Sequence, residues 1–191
     1  MQVISDEIHA PLTHPGVTFV PYLTVAGADR GIALVSASKA WNIAGLKVAL
    51  ALAGPAAKHT LARLPEVVRH GANHLAVLGQ TAAYIHGQPW LDRLLDELTA
   101  NRVLLEQLLA QHLPEIRVLP AEATYLAWLD CRSLGLGDDP AARFRSRGRV
   151  ALSSGPTYGA EGAGFARFNY ATSPEVITEA DLLAGRWDFA E

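Results

Sequence analysis

The segment Ser36-Ala37-Ser38-Lys39 places two hydroxyls and a primary amine directly after the apolar pair Leu34-Val35. A lysine just past what reads as a buried strand is solvated, paired with an acid, or used chemically. Open α/β sheets bind ligands beyond the carboxyl ends of their strands. Asp6 closes another short apolar segment, Val3-Ile4, so an amine and a carboxylate can converge on one crevice. One chemistry for this pattern is Ser-X-X-Lys acylation, with Ser36 as nucleophile and Lys39 beside it. That chemistry also needs Ser-Asp-Asn and Lys-Thr-Gly elements, and neither occurs in the chain.

The other chemistry is imine formation between Lys39 and pyridoxal phosphate, with a carboxylate keeping the pyridine nitrogen protonated. The charged ring then draws electrons from a carbanion at the substrate Cα. Asp6 is the carboxylate in this reading, since an opposite charge within about 4–6 Å favours the protonated ring.

These residues need elements to carry them. Residues 1–6 read as a short buried strand, and "IALVS" and "LKVALALAG" as apolar runs of strand length. "PAAKHTLARL" and "HLAVLGQTAAYIHG" read as helices, interrupted by Pro65 and Gly71. Pro89 opens the longest periodic segment, whose Leu91, Leu94, Leu95, Leu98, Leu105, Leu108 and Leu109 recur at three- and four-residue steps. "IRVLP", "ATYLAWLDC", "VALSS" and "GFARFNYA" then read as strands, and "PAARFRSRG" as a helix. Residues 1–88 are therefore expected to be α/β and residues 89–191 to be α+β, with the long helix as the seam.

Composition excludes several classes. Half of the 191 residues are hydrophobic and 18% are charged, which is globular. A net charge of −3 argues against nucleic acid as a general partner, and the run Arg143, Arg145, Arg147, Arg149 reads as a solvated face. No apolar run reaches the roughly 18 residues of a membrane span. The one cysteine, Cys131, cannot form an internal disulfide, and a reducing, cytoplasmic setting is the simplest expectation. His70 and His74 have a metal-ligand spacing but lack the zinc-protease glutamate, so no metal is expected. Gly159, Gly162 and Gly164 lack dinucleotide-fingerprint spacing and read as turn residues before the Arg167 strand.

"VISDEIHAPL", "SASKAWNIAGL", "ATYLAWLDCR" and "YGAEGAGFARFNYATSP" occur in this order. Together they resemble the C–S lyase (cystathionine β-lyase-like) branch of the class I/II pyridoxal-phosphate aminotransferases, of fold type I. The resemblance implies Lys39 as the imine lysine, Asp6 on the pyridine nitrogen, His9 near the cofactor's phenolic oxygen, and Ser36 and Lys47 toward the phosphate. It implies Arg167 as the clamp on the substrate α-carboxylate, which agrees with the bidentate, planar pairing of guanidinium and carboxylate. The implied activity is β-elimination of cystathionine-like amino acids to a thiol, pyruvate and ammonia. Transamination by the same residues and a non-catalytic remnant or interaction domain are the alternatives.

The resemblance also implies that the sequence holds only the carboxyl half of such an enzyme. The expected fold is thus a partial large-domain sheet with helices, followed by a small α+β domain. A homodimer is expected of the whole enzyme, and the chain as given is expected to be inactive unless another polypeptide completes it. At the far end, Gly185 and Trp187 are expected to shorten the last helix.

Overall fold

The computed structural model describes residues 1–185. The chain forms two compact units, Met1–Leu95 with Glu122–Thr124, and Asp96–Ala121 with Tyr125 onward.

In the first unit, β1 (Ile4–Asp6), β2 (Ile32–Val35) and β3 (Leu50–Ala53) form a sheet in that order. β1 runs parallel to β2, with Asp6 opposite Leu34, and β3 runs antiparallel to β2. The central strand is the buried one: Ile32 and Ala33 are 8% and 2% exposed. The flanking strands differ from the expectation of buried apolar runs, for Ile4 is 65% exposed and Leu50 and Leu52 are 46% exposed. β2 has a hydrogen-bonded neighbour on both sides, whereas β1 and β3 are edges of this sheet.

Of the run "LKVALALAG" only Leu50–Ala53 forms strand, because Leu46 ends a 3₁₀ turn, Ala44–Leu46, and Lys47 after it adopts a left-handed φ of 54°. Helices α1 (Lys58–Ala62), α2 (Glu66–His70) and α3 (His74–His86) follow. Asn73 caps α3 by accepting from the N–H groups of Leu75 and Ala76. His70 and His74 therefore lie on separate helices and do not share a helical face. No cluster of metal-ligating side chains occurs among the described residues.

Helix α4 (Gln88–His112) carries the leucine periodicity, and the division between units falls within it, after Leu95. Among the described residues no helix is long and apolar enough to cross a membrane.

The second unit holds β4 (Arg117–Val118), β5 (Leu126–Asp130), β6 (Ser153–Ser154) and β7 (Phe165–Asn169), antiparallel in the order β4-β5-β7-β6. Alternation along β5 buries Ala127 and Leu129, and β7 buries Ala166 and Phe168. Leu105 and Leu109 of α4 and Leu113 just past its end are buried, as is Phe144 of α5 (Pro140–Gly148). Asp139 caps α5 and Pro140 opens it, while Arg149 ends it in a left-handed conformation. The buried Asn101 amide donates to the carbonyls of Tyr170 and Thr172 just past β7, satisfying both where the strand ladder stops. Helix α6 (Pro174–Gly185) is the last described element, and Trp187 lies outside the described residues.

Candidate functional site

Lys39 sits on a tight turn that follows β2. The chain reverses there through hydrogen bonds from Trp41 N–H to the Ala37 carbonyl and from Ile43 N–H to the Ser38 carbonyl. α3 and the residues after it hold this turn. Gln80, only 5% exposed, accepts from the Ala37 N–H at 3.1 Å. The Trp41 indole donates to the Gly87 carbonyl at 2.9 Å and meets Tyr84 edge-on. Gly87 must lack a Cβ, since one there would collide with the Trp41 indole and the Ala83 carbonyl.

Ser36 takes a structural part in the same turn. Its hydroxyl donates to the Val48 carbonyl at 2.7 Å, accepts from the Ser38 N–H at 3.1 Å, and lies 3.3 Å from Gln80 Oε1. The residue is 3% exposed and its single proton is committed to Val48. Ser38, more exposed and one residue before the lysine, carries a hydroxyl that no described residue engages. Lys47 is exposed, with its backbone in the left-handed region.

Asp6 ends β1, the parallel neighbour of β2, so Asp6 and the Lys39 turn leave the sheet at the same, carboxyl, end. Its carboxylate accepts from the Ile8 N–H, and among the described residues no salt bridge engages it or Lys39. Glu7, next to it, is buried and faces inward: Oε1 accepts from Ser5 and from the Tyr22 N–H at 2.8 Å. That buried acid pins the long loop to β1. Sequence reasoning passed over it because a glutamate beside a functional aspartate reads as a second surface charge.

His9 Nδ1 lies 2.9 Å from the Thr124 hydroxyl, and His14 Nε2 lies 2.9 Å from the Thr124 carbonyl. Thr124 has a φ of +74°, an outlier for a β-branched residue. Its N–H is bound to the Leu12 carbonyl, and the neighbouring Ala123 pairs with Thr13 in an isolated bridge. Thr124 is far away in sequence and was not singled out; its only signal is a long-range pairing invisible to local pattern.

Arg167, in the second unit, projects from β7, paired with Trp128 of β5 and Ser153 of β6. Burial raises the Tyr125 phenol pKa while the Arg167 charge lowers it, so a positive field reaches this part of the sheet.

The donor set fits the reactive end of pyridoxal phosphate: a primary amine and a carboxylate, neither held in a salt bridge among the described residues, on the same end of adjacent parallel strands. The phosphate end is met less fully, because Ser36 is committed internally and Ser38 and Lys47 remain.

Comparison with known proteins supplies the family. The model of aminotransferase class I and II matches residues 1–180. The "Putative cystathionine beta-lyase" of Mycobacterium tuberculosis is 49% identical over 197 residues, covering 94% of this chain and 48% of that protein. Cystathionine beta-lyase PatB of Bacillus subtilis is 35% identical, covering 87% of this chain and 44% of its own length. The PLP-bound C–S lyase structure from Staphylococcus hominis superposes with a TM-score of 0.85 at 28% identity, covering 95% of this chain and 48% of that one. The chain thus spans about half the length of the curated relatives it matches. With a family match over nearly all of its length, and the lysine turn and Asp6 strand end on one sheet, this chain belongs to the class I and II aminotransferases.

Proposed function

We propose that the chain carries the lysine-bearing part of a pyridoxal-phosphate-dependent C–S β-lyase acting on cystathionine-like amino acids. The carrying observation is the shared end of two parallel strands, where Asp6 closes β1 and β2 runs into the pinned Lys39 turn. Pyridoxal phosphate, when bound, supplies the electron sink. Lys39 would anchor it through Nζ, and Asp6 would hold the pyridine nitrogen proton. His9, fixed through Thr124, would serve on the Asp6 side, and Ser38 and Lys47 would hold the phosphate, with Ser36 shaping their loop. With the cofactor and substrate in place, Lys39 Nζ would be the base that takes the substrate Cα proton. The balanced outcome would be loss of the Cα proton to Nζ and of the Cβ–S electron pair to a leaving thiolate, with water giving pyruvate and ammonia. Arg167 orients the α-carboxylate. The domain roles assigned to residues 1–88 and 89–191, a cytoplasmic setting and a homodimer of the whole enzyme belong to this same reading.

The chain has three lysines, Lys39, Lys47 and Lys58, so the cofactor's attachment point can be mapped directly. Incubation with pyridoxal phosphate, borohydride reduction and peptide mapping should place the adduct on Lys39. A visible absorbance band should be lost in Lys39→Ala. Adduct spread evenly over the three lysines, or a band that persists in Lys39→Ala, would reject the site. For the whole enzyme, pyruvate formed from cystathionine without a keto-acid acceptor is expected; strict dependence on an acceptor would favour transamination.

A further inference from the structure

The Arg167 guanidinium is held by an aromatic face more than by hydrogen bonds. Its Cζ lies 4.7 Å from the centre of the Tyr158 ring. Tyr158 in turn meets Trp128 edge-on at 5.5 Å, and Trp128 stacks on Phe165 at 5.7 Å and 11°. The hydrogen bonding is sparse by comparison. One Nη donates to the Ser153 hydroxyl at 3.5 Å, the limit of a useful bond. Nε is buried and has no acceptor among the described residues. A buried donor left in this way favours the arrival of an acceptor.

We propose that Tyr158 is the positioning residue for Arg167: it holds the guanidinium by its π face while leaving the N–H donors uncommitted for an incoming carboxylate, with Ser153 as a weak placeholder. The proposal rests on reading Arg167 as a carboxylate clamp. The chemistry favours an aromatic holder. A carboxylate holding Arg167 would consume the fork of donors and cancel its charge, whereas a ring attracts the cation and leaves every N–H available. The loop that presents Tyr158 is built to hold still. Its 3₁₀ turn, Gly155–Tyr158, starts at Gly155, and Gly155 and Gly162 approach so closely that a Cβ on either would collide with the other's carbonyl. Thr157 ties the turn back by donating to the Ser154 carbonyl. Tyr158 itself is 51% exposed, so the stack lies where a small anion can reach it.

The test uses the ¹⁵N-labelled chain, with the Arg167 Nε–Hε signal identified by its loss in Arg167→Lys. Ring current should displace this signal upfield in the wild type and in Tyr158→Phe, but not in Tyr158→Leu. Acetate titrated as the probe should bind the wild type and Tyr158→Phe equally. Tyr158→Leu should bind about two- to fivefold more weakly, the scale of a partly exposed cation–π contact. Ser153→Ala should bind at least as tightly as wild type. Rescue by phenylalanine but not leucine separates the ring's role from loss of fold. Equal acetate affinity in wild type and Tyr158→Leu would overturn the positioning role while leaving the clamp reading intact. No response of the Arg167 signal to acetate in the wild type would overturn both.

Discussion

Gln80→Met tests how the lysine turn is held. Methionine keeps the side-chain length and nearly its volume, so little cavity cost is added. It removes the Oε1 acceptor of the Ala37 N–H, and Ala37 is 0% exposed. The buried N–H is then left without a partner, a loss of about 1–3 kcal/mol. Ser36 adds little to this sum, because its proton goes to the Val48 carbonyl at 2.7 Å and not to Gln80 at 3.3 Å. Urea denaturation followed by circular dichroism should therefore show a lower midpoint. With a slope of about 1–3 kcal/mol per molar urea, the shift is on the order of 1 M. The borohydride adduct on Lys39 should fall in parallel, since the turn that aims the amine is loosened. A double-mutant cycle with Ser36→Ala should give a coupling below about 0.5 kcal/mol. A Gln80→Met midpoint matching wild type would refute the claim that this clamp secures the turn. A large coupling would place the Ser36 proton on Gln80 instead.

Three further outcomes follow from the same geometry. Gly87→Ala should cost about 1–3 kcal/mol in urea denaturation, because the new methyl forces the Trp41 indole away; an unchanged Trp41–Tyr84 environment by fluorescence and an unchanged midpoint would contradict this. The hydrogen bonds from Arg132, with its charge and that of Arg117, hold the Asp130 carboxyl down from 3.8 to about 2. A depressed acid stabilises the fold above its unfolded value and loses that contribution as pH falls through its folded one. The wild type should therefore lose its advantage over Asp130→Asn between about pH 4 and pH 2. Both arginines are largely exposed, so the advantage should stay within about 1 kcal/mol; a difference that does not change with pH would refute the pairing. Burial, with the Asp130 charge beside it, pushes the Cys131 thiol up to about 12. Cys131 should resist a thiol reagent at pH 8 until urea unfolds the chain, and rapid labelling of the native chain would contradict its burial.

Much of the second unit is legible from local pattern. The start and stop residues of α5, Asp139-Pro140 and Arg149 with its left-handed φ, lie close to the limits read from "PAARFRSRG". Strands β5 and β7 fall inside the predicted runs, because alternation of small or apolar residues with larger partly exposed ones is itself a sheet signature. "VALSS" is a weaker case, since only Ser153–Ser154 pairs, beside Arg167 and Ala166 of β7. Strand length there is set by a neighbour that the local run does not encode. In the first unit, apolar runs overstate burial: β3 is as apolar as β2 yet exposed, because burial depends on what lies on both sides of a strand.

For the site, residue type and position were enough to single out Lys39 and Asp6 as candidates, since an amine past one strand and a carboxylate ending another are local facts of chemistry, whereas Arg167 became a candidate through the family resemblance. Side-chain commitment is a different kind of fact. That Ser36 spends its proton on Val48, that Gln80 and Gly87 pin the lysine turn, that Thr124 joins His9 to His14, and that Tyr158 lies over Arg167 all depend on groups distant in the chain or on a loop's curvature. Hydrogen bonds and ring contacts act over a few ångströms in space and are indifferent to separation along the chain. The sequence therefore determined which chemistry the residues can perform, and the tertiary structure alone decided which of those groups are left available to perform it.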